Sequence, residues 1–222
     1  MKLVALDTST DFLSLAVTDG ERVFTHHERV GQKHAETALP ALSRLLEEAG
    51  LALSSLDAVV YGQGPGSFTG LRIGCGLAQG LAFSANLPLI GIPTLDAVAA
   101  QTGASGTVLV AMDARMGQVY AAVYQDGRCQ GAIGLFSPEA LPLPEDAFTL
   151  AGDAWQVHEA LLTGRLTGRP FNRTDVLRPE AAAYLKLASN GHYPKRPARE
   201  AEVLYVRDKV ALTASEQQAR RT

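Results

Sequence analysis

Apolar residues fall into runs of different period along this chain, and each period predicts a different element. Residues 2 to 7, Lys-Leu-Val-Ala-Leu-Asp, are apolar almost throughout, which predicts a strand buried on both faces and central in its sheet. Phe12 to Val17 gives a second strand, and Asp19-Gly20 turns the chain into a third through Arg22 to Phe24. Strands joined this tightly are antiparallel neighbours. The period then becomes helical from about Gln32 to Ala49, where Gly50 closes the helix. Leu39, Leu42, Leu46 and Ala49 share one face, with Ala38 and Leu45 widening it. Pro40 predicts a kink there, or a start just before it. Asp57 to Tyr61 is a fourth strand, about Ser67 to Phe83 a second helix, Leu87 to Gly91 a fifth strand and Thr94 to Ala100 a short helix.

Gln101 to Gly106 is small and polar and predicts a linker. Beyond it the opening plan recurs: strands at Thr107 to Asp113 and Gln118 to Tyr124, then an Asp126-Gly127 turn into a strand from Cys129 to Phe136. Asp7 and Asp113 end the first strand of each half. The repeat is expected to be incomplete, with a proline-containing loop, a short strand at Phe148 to Ala151, a helix from Trp155 to Leu162 and another through Leu187. The division read from this is a first domain over residues 1–103 and a smaller one over 104–222.

Composition narrows the class. A chain of 222 residues that is 46% hydrophobic and 19% charged can bury a substantial core. A net charge of -3 and a pI near 6.0 argue against a protein built mainly to hold nucleic acid. Lys195-Arg196 with Arg199 is the nearest thing to a basic patch. Cys75 and Cys129 are expected as reduced thiols, and the chain as cytoplasmic, because an early Asp7 breaks the first apolar run and no stretch has the length of a membrane helix.

The chemistry concentrates between the fourth strand and the second helix, in Gly62-Gln63-Gly64-Pro65-Gly66-Ser67-Phe68-Thr69-Gly70-Leu71-Arg72-Ile73-Gly74. Ser67 or Thr69 can cap the helix. No Lys-Ser/Thr pair follows the glycines, so the loop is not a phosphate loop, and Ser67 is not set in a nucleophile elbow. Within the helix Gly70 and Gly74 stand one turn apart, as do Gly76 and Gly80. Each costs helix propensity, which implies close backbone contact with the chain's own sheet or with a partner's helix. His26 and His27 point to opposite faces of a strand, and His34 has no second histidine one turn on, so no metal site is expected. Asp7 and Asp113 are where an actin-like ATPase would hold metal and phosphate, but the loops after them lack the glycines and hydroxyls that this chemistry needs.

The run from Gly64 to Gly74 resembles the signature of the bacterial TsaB (YeaZ) family, and Glu202-Val203-Leu204-Tyr205-Val206-Arg207 is similar to the family's closing segment. The resemblance implies an α/β chain of the actin, hexokinase and Hsp70-like ATPase fold, duplicated, with a degenerate second half. It implies a non-catalytic subunit without a cofactor that forms a heterodimer with TsaD and works with the ATPase TsaE. TsaD transfers a threonylcarbamoyl group, from an adenylate made by TsaC, to N6 of an adenosine beside the tRNA anticodon. TsaD carries a histidine pair where this chain has only His34. Contact is expected on helices 33–49 and 67–83, through Leu39, Leu42, Leu46, Gly70, Gly74, Leu77, Ala78 and Leu81. Arg72 would pair with a partner's acid or reach solvent. A bulky residue at Gly74 is expected to leave the fold intact and abolish binding. The same surface could form a homodimer when TsaD is absent, and tRNA contact would be indirect or weak. The alternatives are a stand-alone actin-like small-molecule kinase and a bare homodimeric scaffold.

Overall fold

The computed structural model describes residues 1–206. Its first sheet contains β1 (Leu3–Asp7), β2 (Phe12–Thr18), β3 (Val23–Arg29), β4 (Ala58–Gly64) and β5 (Leu89–Pro93), in the order β3-β2-β1-β4-β5. The first three strands are antiparallel; β1, β4 and β5 run parallel. The uniformly apolar β1 is therefore the central strand, as its sequence requires.

The sheet is covered on both faces, and the period-2 alternation of β1 sorts its side chains between them. Val4 and Leu6 face α1 (His34–Ala49) and α2 (Phe68–Ala85). Leu3 and Ala5 face α6 (Ala181–Ser189), while Ile90 and Ile92 on β5 join Ala97 of α3 (Thr94–Gln101) on that side. Helix α6 is thus drawn from the second half of the chain to close the first sheet. Helix α1 passes through Pro40 without interruption and ends at Gly50 in the left-handed conformation.

The second sheet contains β6 (Thr107–Asp113), β7 (Val119–Gln125), β8 (Arg128–Cys129), β9 (Gly134–Phe136), β10 (Phe148–Ala151) and β11 (Phe171–Arg173). Both β8 and β9 pair with β7 in an order running β11-β10-β6-β7. Counting β8 and β9 as one interrupted strand, this is the first sheet's order again. The repeat is therefore fuller than its sequence suggests: β11 supplies a fifth strand that three residues with one aromatic do not announce. The expected strand from Cys129 to Phe136 is split, with Gly131 at φ 91° within the break. The expected helix from Trp155 to Leu162 is two, α4 (Ala154–Val157) and α5 (Glu159–Leu166), which pack on the outer face of this sheet. Helix α3 packs on the inner face through Leu95 and Val98.

Three polar ties join these layers. Asp96 on α3 accepts hydrogen bonds from Tyr124 (2.7 Å) and Tyr193 (2.8 Å). Asp7 accepts one from Tyr184 on α6 (2.7 Å). The closing segment pairs with the first sheet, where Arg196 and Leu89 exchange backbone hydrogen bonds and Leu204 N–H donates to the Gln63 carbonyl (2.8 Å). Arg207, which the sequence adds to that segment, lies outside the described residues.

Candidate partner face and inter-sheet cleft

The glycine-rich segment folds onto the β1–β2 turn. Ser67 N–H donates to the Ser9 carbonyl (2.7 Å), and the Ser67 hydroxyl caps α2 by accepting from Gly70 N–H (3.3 Å). Thr8 returns a hydrogen bond from its hydroxyl to the Gly70 carbonyl (2.8 Å). The approach explains two glycines: a β-carbon on Gly70 would overlap the Thr8 carbonyl oxygen, and one on Gly74 the Thr8 hydroxyl. Gly76 and Gly80 differ, since a β-carbon on either meets nothing within 4 Å. The two glycine pairs that look alike in sequence thus serve different surfaces.

The expected contact residues divide accordingly. Gly70, Gly74, Ala78 and Leu42 are buried in the chain's own fold, Ala78 and Leu42 within the core beneath α1 and α2. The expectation that a bulky residue at Gly74 spares the fold is corrected by that packing: the added atoms would displace Thr8. Leu46, Leu77 and Leu81 are half-buried at the core's edge. Leu39 is 50% exposed, so it leaves the apolar stripe to which its spacing assigned it. Arg72 meets side chains of its own chain, with its guanidinium 3.7 Å from the Phe68 ring centroid and its Nε donating to the Tyr205 hydroxyl (3.0 Å). Sequence reasoning passed over Phe83, which is 82% exposed at the far end of α2. The signal was present: a single large aromatic one turn beyond Gly80 on a face of small residues. Arg72, Gly76, Gly80 and Phe83 follow a helical spacing along the solvent side of α2.

A cleft of about 320 Å³ separates the two sheets. Ser9, Asp11 and Ser67 line one wall, Asp113 and Asp153 the other, and Tyr205 lies across one end. Asp7 and Asp113, the acids that end β1 and β6, are both engaged by other side chains of the chain. Asp7 is fully buried, its Oδ1 accepting from the Ser9 amide (3.0 Å) and hydroxyl (2.8 Å) and its Oδ2 from Tyr184. Burial pushes its carboxyl above the usual range, against the pull of these donors. Asp113 meets His158 Nε2 at 3.1 Å and Arg115 at 3.3 Å. Asp153, also raised by burial, accepts from the Asp113 amide (2.9 Å). Cys75 and Cys129 are unpaired thiols, both raised by burial. His34 is buried with its Nε2 3.1 Å from the Phe12 carbonyl oxygen, while His27 stacks on Phe12. His26 Nε2 lies 3.3 Å from the Glu28 carboxylate, a single pair, and no group of three or more metal-ligating side chains exists among the described residues.

Known proteins resemble this chain over nearly its whole length. It is 36% identical to the tRNA threonylcarbamoyladenosine biosynthesis protein TsaB of Escherichia coli, over 95% of this chain and 96% of that protein. The chain belongs to the TsaB family. The family's protein from Haemophilus influenzae is 35% identical over 95% of each chain. A solved structure of YeaZ from Pseudomonas aeruginosa superposes with a TM-score of 0.79 at 36% identity, covering 92% of this chain and 99% of that one. Residues 25–135, which contain α1, β4, α2 and β5, also match the family model of TsaD, described as tRNA N6-adenosine threonylcarbamoyltransferase. No helix among the described residues is long and apolar enough to cross a membrane.

Proposed function

We propose that this protein is a non-catalytic accessory subunit of tRNA threonylcarbamoyladenosine synthesis that binds TsaD through the solvent faces of α1 and α2. The observation that carries this reading is the pairing of kinship with surface: a chain 36% identical to TsaB along its length keeps Gly76 and Gly80 where its own fold has no use for them. Between Arg72 and Phe83 those glycines leave a shallow backbone channel in which a partner's helix can approach closely. Leu39 extends the apolar surface on α1. The TsaD family model covers the same two helices in this chain. Equivalent helices on both partners would build a four-helix packing, and the same face on a second copy would build a homodimer. TsaE joins the larger assembly in this reading, and TsaC supplies the threonylcarbamoyl adenylate.

The paired sheets of one strand order support an actin-like ancestry. The carboxylate that such a fold offers to metal and phosphate is here held by Ser9 and Tyr184, which favours a binding role over the kinase reading. The test is reconstitution: purified TsaC, TsaD and TsaE with tRNA, with and without this chain, while a TsaD complex is followed by size. Modification that requires the chain supports the proposal. Full modification without it, or the absence of any complex with TsaD, would reject it.

A further inference from the structure

A second pocket, of about 330 Å³, lies on the far edge of the second sheet, away from α1 and α2. Leu150 and Leu177 give it an apolar floor, Trp155 an aromatic wall, and Gln156, Thr174 and Asp175 a polar rim. Arg173, on the edge strand β11, places its guanidinium 4.6 Å from the centroid of the Trp155 ring. That cation has no carboxylate partner among the described residues, although Asp175 is two positions away.

The segment that leads into this pocket is locally basic. Between Glu159 and Asp175 the sequence carries Arg165, Arg169 and Arg173 and no acid, in a protein of net charge -3. Arg165 and Arg169 each donate to a backbone carbonyl, of Pro138 and Pro144 (both 2.9 Å), which fixes their direction without neutralising them. Of these three arginines only Arg173 lines the pocket, seated on an indole at its rim.

We propose that this pocket binds a nucleotide of a single-stranded RNA. The outer face of the Arg173 guanidinium, backed by Trp155, is a stacking platform for a base. Gln156 and Asp175 stand where they can pair with the edge of the base, donor with acceptor, and Thr174 can serve either role. Arg173 attracts a flanking phosphate, and Arg165 and Arg169 add to the local positive potential. Size limits the ligand: about 330 Å³ is at the small end of ligand sites, enough for one nucleotide and too little for a paired helix. The shared chemistry, a base with a phosphate, also belongs to free mononucleotides, and the experiment separates the two sources.

Trp155 is the only tryptophan in the chain and reports on its own pocket. The full-length protein, without any partner, is titrated with a short unstructured oligoribonucleotide and separately with adenosine monophosphate. Tryptophan emission is followed, together with the anisotropy of the labelled RNA. The expected result is a saturable emission change with RNA at concentrations where the mononucleotide gives little, and affinity that falls as salt is raised. Arg173→Glu should weaken RNA binding by at least about tenfold, and Arg169→Gln, remote from the indole, should weaken it less while leaving the emission of the free protein unchanged. A mononucleotide that binds as tightly as the RNA would overturn the RNA assignment. No saturable change with either ligand, or full affinity in Arg173→Glu with an unchanged circular dichroism spectrum, would overturn the pocket. Because no TsaD is present, these outcomes are independent of the partner proposal.

Discussion

Tyr184 donates its hydroxyl hydrogen to Asp7 Oδ2 across 2.7 Å and 177 positions of sequence. The pair is fully buried, and the tyrosine sits where it also confines Gly62, whose β-carbon would strike both groups. A carboxylate at the end of a central strand is here a structural joint between β1 and α6. Tyr184→Phe removes the donor and leaves a buried carboxylate short of one partner, so unfolding in urea should reveal a loss of about 1–3 kcal/mol. A loss below the error of the measurement would mean that the joint contributes nothing.

The same joint sets a pH dependence. Burial raises the folded-state affinity of Asp7 for a proton above that of the unfolded chain, so the native state holds the proton over a range in which the unfolded chain has released it. Stability therefore declines as pH rises from near 3.8 through the raised folded value. Asp7→Asn does not titrate, and its stability relative to the parent should increase with pH across that window. A constant difference between the two proteins would remove Asp7 from the account. Asp96 and Asp153 are raised by burial as well and act in the same direction.

The two glycine pairs of α2 should respond oppositely to alanine. Gly70→Ala and Gly74→Ala force atoms into Thr8 and should lower the midpoint of thermal unfolding. Gly76→Ala and Gly80→Ala meet open space and should stabilise the isolated chain by about 0.8–1 kcal/mol each through helix propensity. If the latter two also destabilise, α2 has a neighbour on its solvent side in the isolated protein, which a second copy would explain.

Phe83→Glu should leave the stability of the isolated chain within about 0.5 kcal/mol of the parent, since the ring is exposed, and weaken TsaD binding by about thirtyfold or more if the ring is an interface anchor. Surface plasmon resonance with immobilised TsaD measures the second effect and urea unfolding the first. Leu42→Ala is the wrong probe of the same interface. That side chain belongs to the core, so its removal would cost about 2–5 kcal/mol before any partner is added.

Tyr205 should matter through Arg72. Its hydroxyl accepts from Arg72 Nε, and its ring lies 6.0 Å from that of Phe68. Tyr205→Ala should cost about 0.5–1.5 kcal/mol and raise hydrogen exchange at Glu202 to Leu204. Exchange unchanged in that segment would mean that Tyr61 and Gln63 hold it without help from the stack.

The strands were readable wherever both faces are buried, because β1, β4 and β6 can then be apolar at nearly every position. Short turns gave the antiparallel pairing of the first three strands, while the places of β4 and β5 come from the structure. Three features could not be read that way. β11 offers Phe171-Asn172-Arg173, too short and too polar to carry a period. The break between α4 and α5 falls at His158, whose ring turns to Asp113, a contact 45 positions away that no local pattern encodes. The glycines of α2 announced that something approaches closely, but periodicity does not say on which side, and only Thr8 beneath Gly70 and Gly74 separates the two pairs. Spacing put Leu39 in one stripe with Leu42 and Leu46 without saying which of them meets the sheet: Ala38, Ala41 and Leu42 are buried against it, and Leu39 is exposed.

The return of α6 to the first sheet has a consequence for how the protein is made. On the ribosome, β1 to β5 emerge well before Ala181 to Ser189, and until that helix arrives Leu3, Ala5, Val60 and Ile90 have only α3 to shield them from water. Asp7 likewise waits for its tyrosine. The nascent first half is therefore a sheet with an open greasy side from the completion of β5 until α6 is made, a substrate for chaperones that bind apolar segments. A ribosome stalled before codon 181 releases a product that cannot complete either its core or its buried carboxylate.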